Sequence, residues 1–196
     1  MAIVPQEALD TLFHNARSQN GWSDQPVSDA ELREAYDVAK WGPTSMNTQP
    51  MRIVFLRTEE AKERLKPALA PANVNKVMTA PVVAIVAHDT DFYTHMPRIF
   101  PHNPNAQSIF AGNEGLIETT AFRNGTLQGA YFMMALRAVG LDCGPMSGFN
   151  PALVDAEFFT DTGFKTNFLI GIGHGDPEKI FVRSPRYDFE EVARFL

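Results

Sequence analysis

Ten residues, Trp41-Gly42-Pro43-Thr44-Ser45-Met46-Asn47-Thr48-Gln49-Pro50, crowd hydroxyls, amides and two turn-setting prolines between a helical pattern and a strand pattern. Polar side chains on a loop held by rigid elements are well placed to bind a ligand. The same residue types also dominate ordinary turns for conformational reasons, so the loop taken alone reads first as a helix stop and turn. Gly144-Pro145-Met146-Ser147-Gly148 is a second loop whose chemistry would come from its backbone. Basic residues stand near both ends: Arg17 beside Ser18, and Arg183 and Arg186 around Ser184-Pro185. Guanidiniums offer planar paired donors, so these three and the Ser18 hydroxyl could clamp a phosphate, with solvated surface arginines as the alternative.

Other chemistries find no support. His88, His95 and His102 recur seven apart, a spacing that puts no pair on one helical turn and makes no metal site. There is no Gly-x-Ser-x-Gly elbow, Walker loop or Gly-x-Gly-x-x-Gly turn, and Gly171-Ile172-Gly173-His174-Gly175 opens no helix because Asp176-Pro177 follows. Cys143 has no neighbouring base and reads as packing. Met133, Met134, Met146 and the fifteen phenylalanines read as core, although a flat apolar cofactor would use the same residue types.

The elements that must position these groups follow from periodicity. A helix is predicted over residues 6–18, with Arg17 in its last turn. A second helix, over 28–40, opens with a Ser28/Glu31 capping box, and a strand follows at 52–57. Residues 59–69 read as helix, and the β-branched run 81–87 reads as a strand buried on both faces. Residues 91–115 have weak patterning and read as a long surface excursion. The longest helix is predicted over 119–139, with Leu127, Tyr131, Met134, Ala138 and Leu141 as its buried stripe. Asn150-Pro151 starts another helix, 167–173 is a glycine-interrupted strand, and Asp188 with Glu191 caps a short final helix. Without a βαβ repeat the expected fold is α+β, a central mixed sheet flanked by helices.

At 196 residues and 44% apolar content the chain is expected to form one domain spanning 1–196. A net charge of -6 argues against nucleic acid or an anionic membrane surface as the main partner. One cysteine rules out a disulfide framework. Met1 to Asp10 contains no apolar core of signal-peptide length, and no run approaches the ~20 apolar residues of a membrane helix. A cytoplasmic location is the expectation.

Taken in order, the motifs resemble the nitroreductase family of FMN flavoenzymes, over essentially the whole chain. Ala16-Arg17-Ser18 resembles the family's Arg-Ser-x-Arg phosphate motif, and residues 43–50 resemble its Pro-Ser-x-x-Asn-x-Gln-Pro loop. Asn73 and Lys76 stand where the family places an amide and a lysine against the flavin edge. The segment from Gly140 to Phe149 resembles the backbone loop facing N5 and O4, and Arg183 and Arg186 the C-terminal basic pair. Asn20 replaces the second arginine of the first motif, and Met51 an aromatic residue. Residues 16–22, 40–45 and 120–124 carry a further likeness to the branch that reduces malonic semialdehyde to 3-hydroxypropanoate in the Rut pathway of pyrimidine degradation.

The resemblance implies an interlocked homodimer with FMN at the subunit interface and NADH or NADPH as cosubstrate. The implied cofactor contacts are Arg17, Ser18, Pro145, Met146, Ser147, Gly148, Arg183 and Arg186 from one subunit, together with Asn20, Asn73 and Lys76. Pro43, Thr44, Ser45, Asn47 and Gln49 belong to the same set, with residues 43–47 coming from the other subunit. No side chain is required as a nucleophile. Arg123, in the branch-like segment, is the candidate for holding a substrate carboxylate, with a helix-surface ion pair as its alternative role. A broad nitro- or quinone reductase and a flavin-binding protein without turnover are the rival expectations.

Overall fold

The computed structural model describes residues 3–196; Met1 and Ala2, part of the segment read for a signal peptide, lie outside the described residues. In chain order its main elements are α1 (Gln6–Leu9), α2 (Asp29–Ala39), β1 (Met51–Leu56), α3 (Glu59–Leu65), α4 (Pro71–Thr79), β2 (Val82–Asp89), α5 (Met96–Ile99), α6 (Ala106–Phe110), α7 (Glu114–Ala138), β3 (Asp142–Met146), α8 (Pro151–Phe158), β4 (Phe164–Gly173) and α9 (Phe189–Val192). The strands form one sheet in the order β1-β2-β4-β3, and the three strand pairings are all antiparallel. Its mixed character is confined to a single parallel bridge between Ser18 and Cys143 on the outer edge of β3.

The eight residues of β2 are all buried, as its β-branched run requires of a central strand covered on both faces. Val82, Ala84 and Val86 point into one core with Leu32, Ala35, Phe132, Leu136 and Ile170, under α2 and α7. Val83, Ile85 and Ala87 point into a second core with Leu65, Val77, Val154 and Leu169, under α3, α4 and α8. Side chains alternate across a pleated strand, and each face of this strand is roofed by helices.

Several boundaries differ from the sequence expectation for identifiable reasons. The first helix ends early: α1 continues as a π-helical turn, Asp10–His14, and Arg17 lies beyond it rather than in a last turn. Ser18 is instead drawn into the bridge with Cys143, and that tertiary pairing overrides local helix propensity. Gly144, Pro145 and Met146, expected as the first part of the 144–148 loop, belong to the edge strand β3, where Pro145 is tolerated because an edge strand does not need every N–H. The expected surface excursion holds two short helices, α5 and α6, packed around Phe92, Met96, Ala106 and Phe110. Helices of four or five residues are too short to show a period.

The buried stripe of α7 is also rotated from its expected place. Leu127 is 40% exposed and Ala138 is exposed, whereas Ala121, Gly125, Gln128, Phe132 and Ala135 are buried. Small residues decide this: a Cβ on Gly125 would stand 2.7 Å from the His88 Cβ, and one on Gly129 would stand 2.6 Å from the Phe168 ring. The helix therefore lies close on the sheet along its glycines, and Leu116, Phe122 and Leu127 are left exposed. Phe132 is fully buried at the centre of this contact, so Phe132→Ala should lower unfolding stability by about 3–5 kcal/mol. Denaturant titration measures it, and a loss below ~1 kcal/mol would mean that the helix does not depend on this side chain.

Candidate functional site

One group of the candidate residues is assembled around the end of β3. Residues 17–20 run beside this strand through the Ser18–Cys143 bridge and a Gln19 N–H donated to the Cys143 carbonyl at 3.2 Å. Gly144 makes the approach possible, because a Cβ there would overlap the Gln19 carbonyl oxygen. The Trp22 indole N–H then reaches the Lys76 carbonyl at 3.3 Å, tying the segment to α4. From α4 the buried Asn73 donates its amide to the Gly148 carbonyl at 2.9 Å, and the Ala70 N–H donates to the same oxygen at 3.0 Å. The segments carrying Arg17, Ser18, Asn20, Asn73, Lys76 and residues 145–148 are thus linked by successive contacts along β3.

The C-terminal segment is pinned to the same corner. Arg17 donates to the Phe181 carbonyl, and Arg183 donates to the carbonyls of His14 at 2.7 Å and Ala16 at 3.0 Å. Each guanidinium retains further donors. Arg186 is not brought in: its bonds go to Ser184 and Pro185 of its own tail. A cleft of about 270 Å3 opens here, lined by Thr126, Ala130 and Met133 of α7 and by Pro145, Met146, Ser147 and Phe168. Among the described residues no acceptor takes the N–H of Ser147 or Gly148. An apolar cleft with free backbone donors on one side and cationic donors beyond suits a flat heterocycle carrying a phosphate.

The loop at residues 43–49 lies elsewhere. Asn124 of α7 accepts the Ser45 N–H at 2.8 Å and donates to Thr120, Gln128 accepts the Met51 N–H at 2.9 Å, and the Tyr131 hydroxyl donates to the Pro43 carbonyl at 3.2 Å. The Asn47 amide donates to Ile99 at 2.6 Å, and Thr44 Oγ1 accepts the Gln49 N–H. Met46, Asn47 and Gln49 have φ of 50°, 53° and 41°. Left-handed backbone at non-glycine residues costs about 1–3 kcal/mol each and persists only where its surroundings hold it. At 3.6 residues per turn, Asn124 and Tyr131 share one flank of α7, while Thr126, Ala130 and Met133 lie roughly half a turn round. The loop and the cleft therefore stand on opposite flanks of one helix, and a single chain does not join them.

Arg123 lies in a third place, a larger pocket of about 930 Å3 with His88, Phe122 and Lys165. Burial holds the His88 imidazole below its ordinary pKa, against Asp155, Glu118 and Asp89, which favour its charged form, and together with Lys165, which opposes it. Burial likewise pushes the Cys143 thiol up, which fits a packing role. The sequence reading did not single out Asn124 and Gln128 as supports of the loop. Their signal was available: two amides four apart on a helix face that is otherwise small and apolar.

Asn124→Leu should loosen the strained loop, whereas Asn124→Asp keeps the acceptor for Ser45 and should retain it. Hydrogen exchange of the 44–49 amides measures this, and equal protection in both variants would contradict the assignment. A folded-state His88 pKa below the unfolded one makes stability fall as pH drops through about 6.5, because the unfolded chain then binds the extra proton. His88→Asn should flatten the denaturation midpoint between pH 7.5 and 5.5; an unchanged slope would exclude His88 as the cause.

Comparison with known proteins places this arrangement. Residues 14–174 match the family model described as the nitroreductase family. A Ralstonia pickettii protein provisionally named NADH dehydrogenase/NAD(P)H nitroreductase is 63% identical over 188 residues, 95% of this chain and 96% of its own. One from Cupriavidus pinatubonensis, with the same provisional name, is 58% identical over 190 residues, 96% of this chain and 97% of its own. Among solved structures, a Bacillus subtilis nitroreductase-type protein superposes with a TM-score of 0.88 at 23% identity, covering 98% of this chain and all of its own. An Exiguobacterium sibiricum protein solved in complex with FMN superposes at 0.83 with 20% identity, covering 100% of this chain and 99% of its own. The chain belongs to the nitroreductase family.

Proposed function

We propose that this chain is an FMN-dependent NAD(P)H oxidoreductase working as a homodimer, with malonic semialdehyde as the acceptor that the sequence likeness implies. The observation that carries the flavin reading is the cleft beside Met146, with two free backbone N–H groups at its end of β3 and the segments of Arg17, Ser18 and Arg183 tied to the same strand. FMN bound there supplies a two-electron relay through its N5.

The chain's own residues do the rest. Arg17, Arg183 and the Ser18 hydroxyl hold the phosphate, with Asn20 beside them. The N–H groups of Ser147 and Gly148 meet the polar edge of the ring, and Lys76 favours negative charge on the pyrimidine side. Asn73 has its amide committed to Gly148, so its part is to fix that turn. NADH or NADPH and the acceptor use one opening in turn, which gives ping-pong kinetics.

A second copy completes the site in this reading. Residues 43–47 are separated from their own chain's cleft by the thickness of α7 and reach a flavin only from a partner. Unpaired apolar surface supports this: Leu127 on α7, and Phe181, Val182, Tyr187, Phe195 and Leu196 on the tail, are 40–108% exposed. With malonic semialdehyde as acceptor, Arg123 would be the holder of its carboxylate. The names of the two bacterial relatives favour a second reading, a broad nitro- or quinone reductase with the same cofactor.

The purified protein should be yellow with an FMN-type spectrum and should oxidise NADH or NADPH when given an acceptor; FMN binding without turnover of any acceptor would reduce it to a flavin-binding protein. Steady-state assays with malonic semialdehyde against nitroarenes and quinones separate the two enzyme readings. Arg17→Ala should weaken FMN binding by about 1.5–3 kcal/mol, the value of a charge-assisted contact. Fluorescence titration of a folded variant with unchanged affinity would remove Arg17 from the site.

A further inference from the structure

The flank of α7 that bears the cleft runs on toward its N-terminus beside β4, and the groove between them contains two cavities. The small one is bounded by Thr126, Ala130 and Phe168; the large one by Phe122, Arg123, Lys165 and Thr166. Asn167, between Lys165 and Phe168 on β4, donates to the Thr126 hydroxyl at 2.7 Å and crosses the groove at the boundary. The two spaces are therefore neighbours along one track.

The large cavity has features of a built site. His88 is 5% exposed, lines the cavity, and its Nδ1 has no hydrogen-bond partner. Arg123 and Lys165 take part in none of the ion pairs among the described residues, though each sits on an ordered element. Acids are present too, but Glu114 and Glu118 stand one to three helical turns farther from Met146 than Arg123 does, and Asp91 lies against Gly163, on the side of Lys165 away from Met146. An anion is thus favoured at the inner end of the cavity and opposed at the outer end. Phe122, 52% exposed, and Tyr93 add flat apolar wall.

We propose that this cavity is the outer compartment of the acceptor site and selects elongated anionic acceptors, the reducible group lying toward Met146 and the anion held by Arg123 and Lys165. It rests on the flavin reading above and, of the two acceptor readings, on the nitro- or quinone reductase, for which it names a substrate class. Length carries the argument. Met146 pairs with Leu169, four residues of strand and about 13 Å from Lys165, and the Ala130 wall of the cleft is seven residues of helix and about 10 Å from Arg123. A three-carbon acid spans only about 4 Å and cannot reach both compartments, whereas an arylalkanoate can. The compartment therefore favours the second acceptor reading, with a flat acceptor bearing a remote carboxylate, over malonic semialdehyde, which is too short to gain from Lys165.

The test compares 3-(4-nitrophenyl)propanoate with its uncharged amide and with 2-(4-nitrophenyl)ethylammonium on the FMN-loaded protein. The native protein should prefer the propanoate, and the Arg123→Gln/Lys165→Gln double variant should raise the KM ratio of propanoate to amide about tenfold, as loss of a charge-assisted contact implies. Both positions are exposed, so folding is not at stake, and an unaltered flavin spectrum confirms it. An equal ratio in native and variant proteins, or a native preference for the ammonium compound, would overturn the proposal. Calorimetric binding of the propanoate separates the two claims. Binding that weakens in the variant of a protein unable to oxidise NADH would sink the flavin reading and leave the compartment standing; turnover of all three compounds with one KM would do the reverse.

Discussion

The close seating of α7 on the sheet constrains everything else in the molecule. Gly125 and Gly129 remove the side chains that would hold the helix off His88 and Phe168, so its backbone lies against β2 and β4. With that face committed, the two flanks become walls. One receives the strained loop at 43–49 through Asn124, Gln128 and Tyr131, and the other forms the cleft with Met146 and Ser147. The outward face keeps Leu127, and Arg123 lies between that face and the cleft flank.

Strain and support belong together in the loop. Three non-glycine residues within four positions adopt left-handed backbone, at a cost that the surrounding hydrogen bonds must offset. Asn124 bonds the loop's start and Gln128 bonds the strand that ends it, so both ends are fixed to one rigid helix. Such a loop keeps its shape before any ligand arrives, and preorganisation of this kind lowers the ordering cost of binding.

Much of this was legible in the residues. The Ser28/Glu31 box, the Asn150 cap and the buried β2 run were signalled locally, and each formed where the pattern put it. The five motif segments were also visible, but their division into two groups was not, because it depends on which side of α7 each one meets. The displaced stripe of α7 shows why: size matching against the sheet chose Gly125 and Phe132 over Leu127, and helical periodicity cannot see that competition. Arg17 left its expected helix for a similar reason, since pairing of Ser18 with β3 is a contact between residues 125 apart in sequence.

If the cleft and the loop make one flavin site, they must do so across two chains. Co-expression of Arg17→Ala chains with Asn47→Ala chains tests this directly, with FMN bound per chain as the measurement. Each variant alone should bind FMN poorly. In mixed dimers one of the two sites would draw both intact parts, so about a quarter of all sites should recover at equal mixing. No recovery in a mixture shown to contain mixed dimers would mean that each chain builds its site alone, and would contradict the account.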